Sequence, residues 1–469
     1  MPELPEVETI KNVLSKIVIG QTITSIDVYR KATIEGDSDL FVSSLVGEKF
    51  LSLSRIGKYL IFHLTNEKVI ISHLRMEGKY YEFNEDENDS KYAKVVFHFS
   101  NGKKLCYDDS RCFGILKLSS EKEYRSLEML SKLGPEPFDV NNVDDILKQV
   151  KHIKKPIKTT LLDQTIITGL GNIYVDETLY ASHIHPLTSA NLITKKEWEN
   201  IIKNSVEILN IAIQMGGSTI KSYHPGKDID GNFQTRIKIY GKEGETCPTC
   251  GHHFRLIKVG GRGTTFCPVC QRRKAEKQNV GLTGKIASGK SLALSIYKEL
   301  GAATISSDEI VKELYQKEEV ASQIEKTLNI KFSNAFVDKD LLREHLILNP
   351  KDKKKLEKIV HPLVEQEIVK FLQNESNPIR VVEVPLLFEA KLDHYFDNIV
   401  VIDVNEKTQL QHLVNREGDK AIYLQEINKT NKIDQNKEKA TYIIKNNGDV
   451  TALRNEIKKT LIELKGLLK

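Results

Sequence analysis

The chain has 469 residues, of which 40% are hydrophobic and 28% charged, and 69 Lys+Arg against 64 Asp+Glu leave a formal net charge of +5. At about 100–200 residues per domain this length predicts several folded units, and the composition excludes wholesale disorder, a collagen fibre or a coiled-coil rod. No apolar run reaches the roughly 18 residues of a membrane helix, and MPELPEVETI lacks the basic and apolar regions of a signal peptide, so a cytoplasmic protein with no membrane partner is expected.

The opening residues Met1-Pro2-Glu3-Leu4-Pro5-Glu6 are chemically unusual. A small second residue favours removal of Met1, which would leave Pro2 with a secondary α-amine. Such an amine titrates near about 8, so a useful fraction is unprotonated at neutral pH and able to attack an electrophilic carbon. Glu3 and Glu6 are close enough in sequence to donate a proton or to orient the amine. Taken alone, a proline-rich start is more often a plain extended terminus.

Strand-like runs at 68–74 and 94–99, with a turn signal at Asn101-Gly102, dominate the first 135 residues and predict a mostly β domain. From about Val140 the pattern becomes helical, and the apolar spacing over 197–215 predicts a helix that Gly216-Gly217 stops. Between 221 and 279 the chain carries 12 basic against 5 acidic residues, whereas 280–469 carries 30 against 29. The basic stretch is either a polyanion-binding surface or a solvated linker face. Within it, Cys247-Pro-Thr-Cys250 and Cys267-Pro-Val-Cys270 form two C-x2-C knuckles. Each tight turn aims two thiolates at one ion, so the pattern predicts one structural, tetrahedral Zn2+. Cys106 and Cys112 stand apart and are expected to be ordinary buried or half-buried thiols. The polar run QRRKAEKQ (271–278) reads as a short linker, placed at 272–279.

Beyond it, apolar β-type runs at 279–283, 381–385 and 398–404 alternate with helical segments, which predicts a parallel sheet wrapped by helices. The first run leads into Gly284-Lys285-Ile286-Ala287-Ser288-Gly289-Lys290-Ser291 and then the helical LALSIYKEL. This is the setting of a P-loop: backbone N–H groups wrap phosphates at a helix N-terminus, Lys290 reaches the β and γ phosphates of ATP, and Ser291 ligates Mg2+.

Residues 1–271 resemble formamidopyrimidine-DNA glycosylase, a repair enzyme for oxidised purines. The motifs are PELPEVET (2–9), HLRMEG (73–78), RCFG (111–114), LGPEPF (133–138), GLGNIYVDE (169–177), GGST (216–219), IYGKEGETC (239–247) and GRGTTFCPVCQ (261–271). The resemblance implies an N-terminal β-sandwich (1–135), a helix-two-turns-helix domain (136–235) and a zinc ribbon (236–271). It implies that Pro2 attacks the sugar C1′ to form an iminium, with Glu3 as general acid. The partner is damaged double-stranded DNA, from which the target nucleotide must be flipped. Met76, Arg111 and Phe113 then fill the gap, a thioether, a guanidinium and an aromatic wedge. Lys58, which also belongs with the catalytic group, Asn172, Arg262 and more weakly Lys158 fall at the family's phosphate contacts. Lys91-Tyr92-Ala93-Lys94 and Cys112 depart from the family pattern, and the loop at 221–231 is divergent.

Residues 280–469 resemble dephospho-CoA kinase through GLTGKIASGKS (281–291), SSDEI (306–310), LEKIVHPLV (356–364), VPLLFE (384–389) and VIDVNEKTQL (401–410). That likeness implies a P-loop α/β fold and transfer of phosphate from ATP to the ribose 3′-hydroxyl of dephospho-CoA. Asp308 would accept the hydroxyl proton, Arg343 falls near a substrate contact, and His361-Pro362 lies in the acceptor region. Asp308 also reads as a helix N-cap and His361 as a satisfied helix-end histidine. Ser306 stands where the family has a paired aspartate, Lys285 and Ala287 stand at inner P-loop glycines, and His412 replaces a lid arginine. Arg416 is kept, and the signals after Gln425 have faded. The sequence therefore reads as a monomeric, bifunctional, multidomain α+β and α/β enzyme. Its rivals are a tail that senses nucleotide without turnover, a noncatalytic binder of damaged DNA, and a first half with the pyrimidine-lesion preference of the endonuclease VIII group.

Overall fold

A computed structural model describes residues 2–218, 231–417 and 436–468, the side chains of 416 and 417 excepted. Met1, Thr219, nearly all of the divergent loop, the Arg416 side chain and the segment around Gln425 lie outside the described residues. The chain divides into two compact units, Met1–Glu245 with Phe254–Gln271, and Arg272–Lys469 with Thr246–His253.

The first unit opens with α1 (Leu4–Val18), which Glu3 and Glu6 start through a reciprocal capping box. After it come β1 (Ile23–Val28), α2 (Ser38–Leu45), β2 (Phe50–Ile56), β3 (Tyr59–Leu64), β4 (Lys68–His73), β5 (Lys79–Asn84), β6 (Ala93–Phe99), β7 (Lys103–Asp108) and β8 (Ile115–Ser120). They form two antiparallel four-stranded sheets, ordered β1-β6-β7-β5 and β2-β3-β4-β8. Phe50, Phe62, Phe97 and Phe99 meet edge-on in the apolar core. Val7, Ile10, Leu14 and Val18 recur at helical spacing and join that core, while Leu4 belongs to the core of the following helical domain. The first turn of α1 is thus wedged where sandwich and helices meet, and this fixes Glu3.

The helical domain contains α3 (Glu128–Ser131), α4 (Asp144–Val150), α5 (Ile157–Leu161), α6 (Asn172–Ala181) and α7 (Lys195–Gln214). A Thr194/Glu197 capping box starts α7, and Gly216 and Gly217, both at positive φ, follow its end. A hairpin of β9 (Arg255–Val259) and β10 (Arg262–Phe266) completes the unit.

The second unit is built on five parallel strands ordered β12-β13-β11-β14-β15. They are β11 (Gln278–Gly284), β12 (Ala303–Ser306), β13 (Ile379–Glu383), β14 (Asn398–Asp403) and β15 (Tyr442–Lys445). Residues of β13 and β14 are almost wholly buried, as strands covered on both faces must be. One face packs on α8 (Lys290–Glu299) and the C-terminal helix Val450–Gly466. The other packs on α9 (Ser307–Leu314), α10 (Glu318–Leu328), α11 (Lys339–Leu348) and α12 (Asp352–Asn374). A further helix, α13 (Glu406–Glu417), follows β14.

The segment expected to be a linker is instead part of this unit. Arg272 bonds Tyr442 and Glu463, Arg273 pairs with Asp397 at 2.7 Å, Ala275 bridges Leu468, and Gln278 is fully buried at the start of β11. Its polar composition reflects these charge pairs. β12 and β15, too short to register as apolar runs, form the edges of the sheet.

Candidate functional site

Pro2 is buried, and Glu3 beside it N-caps α1. The Glu3 carboxylate points at the N-terminus of α6, accepting from Ile173 N–H at 3.1 Å and Tyr174 N–H at 3.4 Å. Gly169 and Gly171 make this approach possible. Leu4 N–H donates to the Gly169 carbonyl at 3.0 Å, and a side chain at Gly171 would overlap the Glu3 carboxyl. Burial raises the Glu3 carboxyl from 4.5 to about 7, with Glu6 adding to the rise and Lys58 and the two N–H groups opposing it. A carboxyl so placed is partly protonated at neutral pH, as a general acid requires.

Glu6 is held by Glu3 N–H at 2.9 Å, Tyr174 Oη at 2.6 Å and Ser218, through both N–H and Oγ. Tyr174 and Ser218 lie inside the quoted GLGNIYVDE and GGST motifs, yet nothing in the sequence tied them to Glu6. Lys58, in the turn between β2 and β3, is buried and donates to the Leu170 carbonyl at 2.6 Å. Burial and the charge of Arg262 lower its pKa against the pull of Glu3. His73 was also missed as a separate residue. Burial, with Arg75 and Lys58 nearby, pushes it down to about 3, so it is neutral, and its Nδ1 accepts from Arg75 N–H at 3.0 Å.

Lys158 departs from expectation. It is fully buried, pairs with Asp176 at 2.7 Å and donates to the Gly263 carbonyl at 3.1 Å. Asp176 in turn accepts from Thr265 N–H, and Asn172, the first residue of α6, donates to the same Gly263 carbonyl at 3.2 Å. Lys158 therefore braces β10, the strand that begins with the exposed Arg262, and offers no surface cation to a phosphate. Glu177 accepts three backbone N–H groups, from Lys238, Ile239 and Tyr240, and anchors the chain entering the ribbon.

Met76, Arg111 and Phe113, expected to fill the gap in the duplex, sit on two loops of the sandwich. Met76 and Phe113 are 39% and 53% exposed, large apolar side chains left in water, and the Arg111 guanidinium lies 5.1 Å from the Phe113 ring. Asp109 gathers the Arg111, Phe113 and Gly114 N–H groups at 2.7–2.9 Å. Side chains at Gly78 or Gly114 would strike the Tyr107 hydroxyl, so both loops close against one buried ring. Cys106 is buried and Cys112 half-buried, as expected.

The sulfurs of Cys247, Cys250, Cys267 and Cys270 all lie within 4.8 Å of one another. Thiolates at about 2.3 Å from a shared tetrahedral ion are roughly 4 Å apart, so these side chains fit Zn2+. Cys247 and Cys267 are buried and the other two half-buried, the arrangement of a closed structural site.

In the second unit the P-loop runs from the end of β11 into α8. Lys290 Nζ donates to the Gly284 and Lys285 carbonyls at 3.0 and 2.9 Å. Ser291 Oγ donates to Glu383 Oε1 at 3.4 Å. Glu383, at the end of β13, went unnoticed in the sequence because only the parallel sheet brings it to the loop. Burial raises its pKa, and Lys290 opposes the rise. Ser306 caps α9 by accepting Asp308 N–H at 3.3 Å, so the N-cap is Ser306 and not Asp308. Asp308, Tyr315, Val360, His361, Val384 and Leu386 are among the residues lining a cavity of about 290 Å3. Arg343, exposed on α11, does not line it.

Comparison with known proteins matches each part. Family models match the formamidopyrimidine-DNA glycosylase N-terminal domain at 1–116, its H2TH domain at 133–224, the zinc finger found in FPG and IleRS at 244–273, and dephospho-CoA kinase at 278–452. The formamidopyrimidine-DNA glycosylases of Exiguobacterium sibiricum and Streptococcus pneumoniae are each 43% identical over 277 residues, 58% of this chain and 99–100% of theirs. A Lactococcus lactis FPG solved in complex with Fapy-dG containing DNA has a TM-score of 0.55 and 38% identity, covering 58% of this chain and all of that one. Among the described residues, no helix is long and apolar enough to cross a membrane.

Proposed function

Since the chain belongs, over residues 1–271, to the formamidopyrimidine-DNA glycosylase family, we propose that it excises oxidised purines such as 8-oxoguanine through a Schiff base on Pro2 and nicks the strand. The observation that carries this reading is the buried, protonatable Glu3 fixed beside Pro2 by the N-terminus of α6. The Pro2 nitrogen attacks C1′, the base departs with the electron pair of its glycosidic bond, and the proton shed by the Pro2 nitrogen goes to the departing base. Opening of the sugar ring to the iminium places negative charge on the ring oxygen, which takes the Glu3 proton. The iminium then acidifies the neighbouring C2′–H, and elimination breaks the 3′ C–O bond. Met76, Arg111 and Phe113 occupy the space left by the flipped nucleotide, and Lys58, Asn172 and Arg262 face the backbone. The four cysteines would hold one Zn2+, which would keep the ribbon folded.

The second activity we propose is ATP-dependent phosphorylation of dephospho-CoA by 278–469. The cavity with Asp308 on its wall supports it; Pro385, also on that wall, accepts at its carbonyl from Thr283 Oγ1 at 3.3 Å, next to the start of the P-loop. Asp308 accepts the proton of the acceptor hydroxyl, that oxygen attacks the γ-phosphorus, and ADP leaves while Lys290 neutralises phosphate charge. Ser291 and Glu383 are the residues that would hold Mg2+ with the nucleotide, where it supplies further charge neutralisation. A nucleotide sensor without turnover is the second reading, favoured by Ser306, whose hydroxyl caps α9 where a second carboxylate would stand.

One purified chain should be assayed for nicking of an 8-oxoguanine duplex and for coenzyme A formation from dephospho-CoA and MgATP. Both activities are expected. ATP binding without coenzyme A at any Mg2+ concentration would select the sensor, and an intact 8-oxoguanine duplex would remove the first activity.

A further inference from the structure

The P-loop of this chain contains a strained residue, and a neighbouring helix holds it. Ala287 has φ +60, a left-handed conformation that alanine keeps only where surrounding contacts impose it. Its carbonyl is 3.1 Å from His412 Nδ1, on α13. A carbonyl oxygen only accepts, so Nδ1 carries the proton. One turn earlier on the same helix, the buried Gln409 donates its amide to the Ile286 carbonyl at 2.8 Å. Asn446, after β15, donates to the Ser288 carbonyl at 2.9 Å, and Lys290 covers those of Gly284 and Lys285. Every carbonyl from Gly284 to Ser288 is therefore engaged by a donor. Because each peptide plane sets its N–H opposite its C=O, engaging the Ile286 and Ser288 carbonyls directs the Ala287 and Gly289 N–H groups to the other side of the loop, while the Ala287–Ser288 plane that His412 holds turns the Ser288 N–H onto the Lys285 carbonyl at 3.1 Å and so closes the loop. That is the arrangement a phosphate needs.

We infer that His412 is a positioning residue for nucleotide binding: its Nδ1–H, bonded to the Ala287 carbonyl, holds a P-loop with alanine at a left-handed inner position in the anion-binding conformation. The inference rests on the proposal that this loop binds ATP, and it concerns affinity, not the transfer step. His412 acts on the loop and not on a phosphate, so its loss is felt through the loop.

The test is the affinity of the full-length chain for MgATP, measured by calorimetry on four variants. His412→Ala should weaken binding about tenfold, the effect of one lost hydrogen bond on a strained loop. His412→Asn should keep near wild-type affinity, because the asparagine amide branches where Nδ1 does, and His412→Gln should not. In the His412→Ala background, Ala287→Gly should restore most of the affinity, since glycine adopts positive φ without help. Thermal melting of each variant, followed by circular dichroism, reports that the second unit is folded. An unchanged affinity in His412→Ala overturns the inference, and so does a His412→Asn as weak as His412→Ala, which would make the Nε2 atom the important one. A wild-type chain that binds no MgATP fails at the earlier step and removes the nucleotide-binding reading together with this one.

Discussion

Gly171 gives the Glu3 carboxylate its place: a methyl group at residue 171 would overlap the carboxyl that Ile173 N–H holds at 3.1 Å. The general acid and the turn before α6 are thus one device assembled from residues far apart in sequence. Gly171→Ala should therefore lower excision of 8-oxoguanine by about 100-fold, the order expected when a catalytic group shifts by an ångström. Binding to an uncleavable duplex should change far less. Full single-turnover excision by the variant would show that Glu3 does not need this seat.

The raised pKa of Glu3 predicts a pH profile. Glu3 is the proton donor, so excision should fall as pH rises through about 7. The Pro2 amine must be neutral, and it gains that form as pH rises toward about 8. The rate should form a narrow bell between these limits. A folded-state value above the ordinary 4.5 also means that Glu3 costs the native state stability as pH rises from 4.5 to about 7. Glu3→Gln, inactive, should then lose less melting temperature than the wild type between pH 5 and pH 8. Parallel melting curves for the two proteins across that range would contradict the buried acid.

Much of this site was legible in the sequence because its motifs are local. PELPEVET, GLGNIYVDE and the cysteine knuckles each place one element, and the structure brings Glu3 of the first onto the helix that the second begins and gathers the four sulfurs. What the sequence left out is what only folding brings together. Lys158 reads as a phosphate contact, yet its partner Asp176 lies on the next helix and buries it. Arg272 and Arg273 read as linker charges because Glu463 and Asp397 are more than a hundred residues away. Glu383 gained meaning only when β13 was laid beside β11.

Removing the metal should separate the two activities. Cys250→Ser, or chelation, should unfold the ribbon and abolish DNA binding, because Arg262 loses its support. Coenzyme A formation should persist. Loss of both activities together, followed by gel shift and kinase assay, would mean that the ribbon also supports the second unit.

For the kinase, Lys290→Ala should nearly abolish phosphorylation of dephospho-CoA, and Asp308→Asn should lower kcat more than it weakens ATP binding. Both variants should still nick 8-oxoguanine DNA. An Asp308→Asn enzyme with wild-type kcat would remove Asp308 as the proton acceptor.

Whether the N-terminal amine is the nucleophile is decided by borohydride trapping on a duplex containing one 8-oxoguanine. The wild-type chain, shown by mass spectrometry to begin at Pro2, should yield a covalent protein–DNA adduct. Pro2→Gly, or a chain that retains Met1, should yield little or none. Undiminished trapping by a chain that retains Met1 would contradict the assignment of Pro2 and place the nucleophile elsewhere.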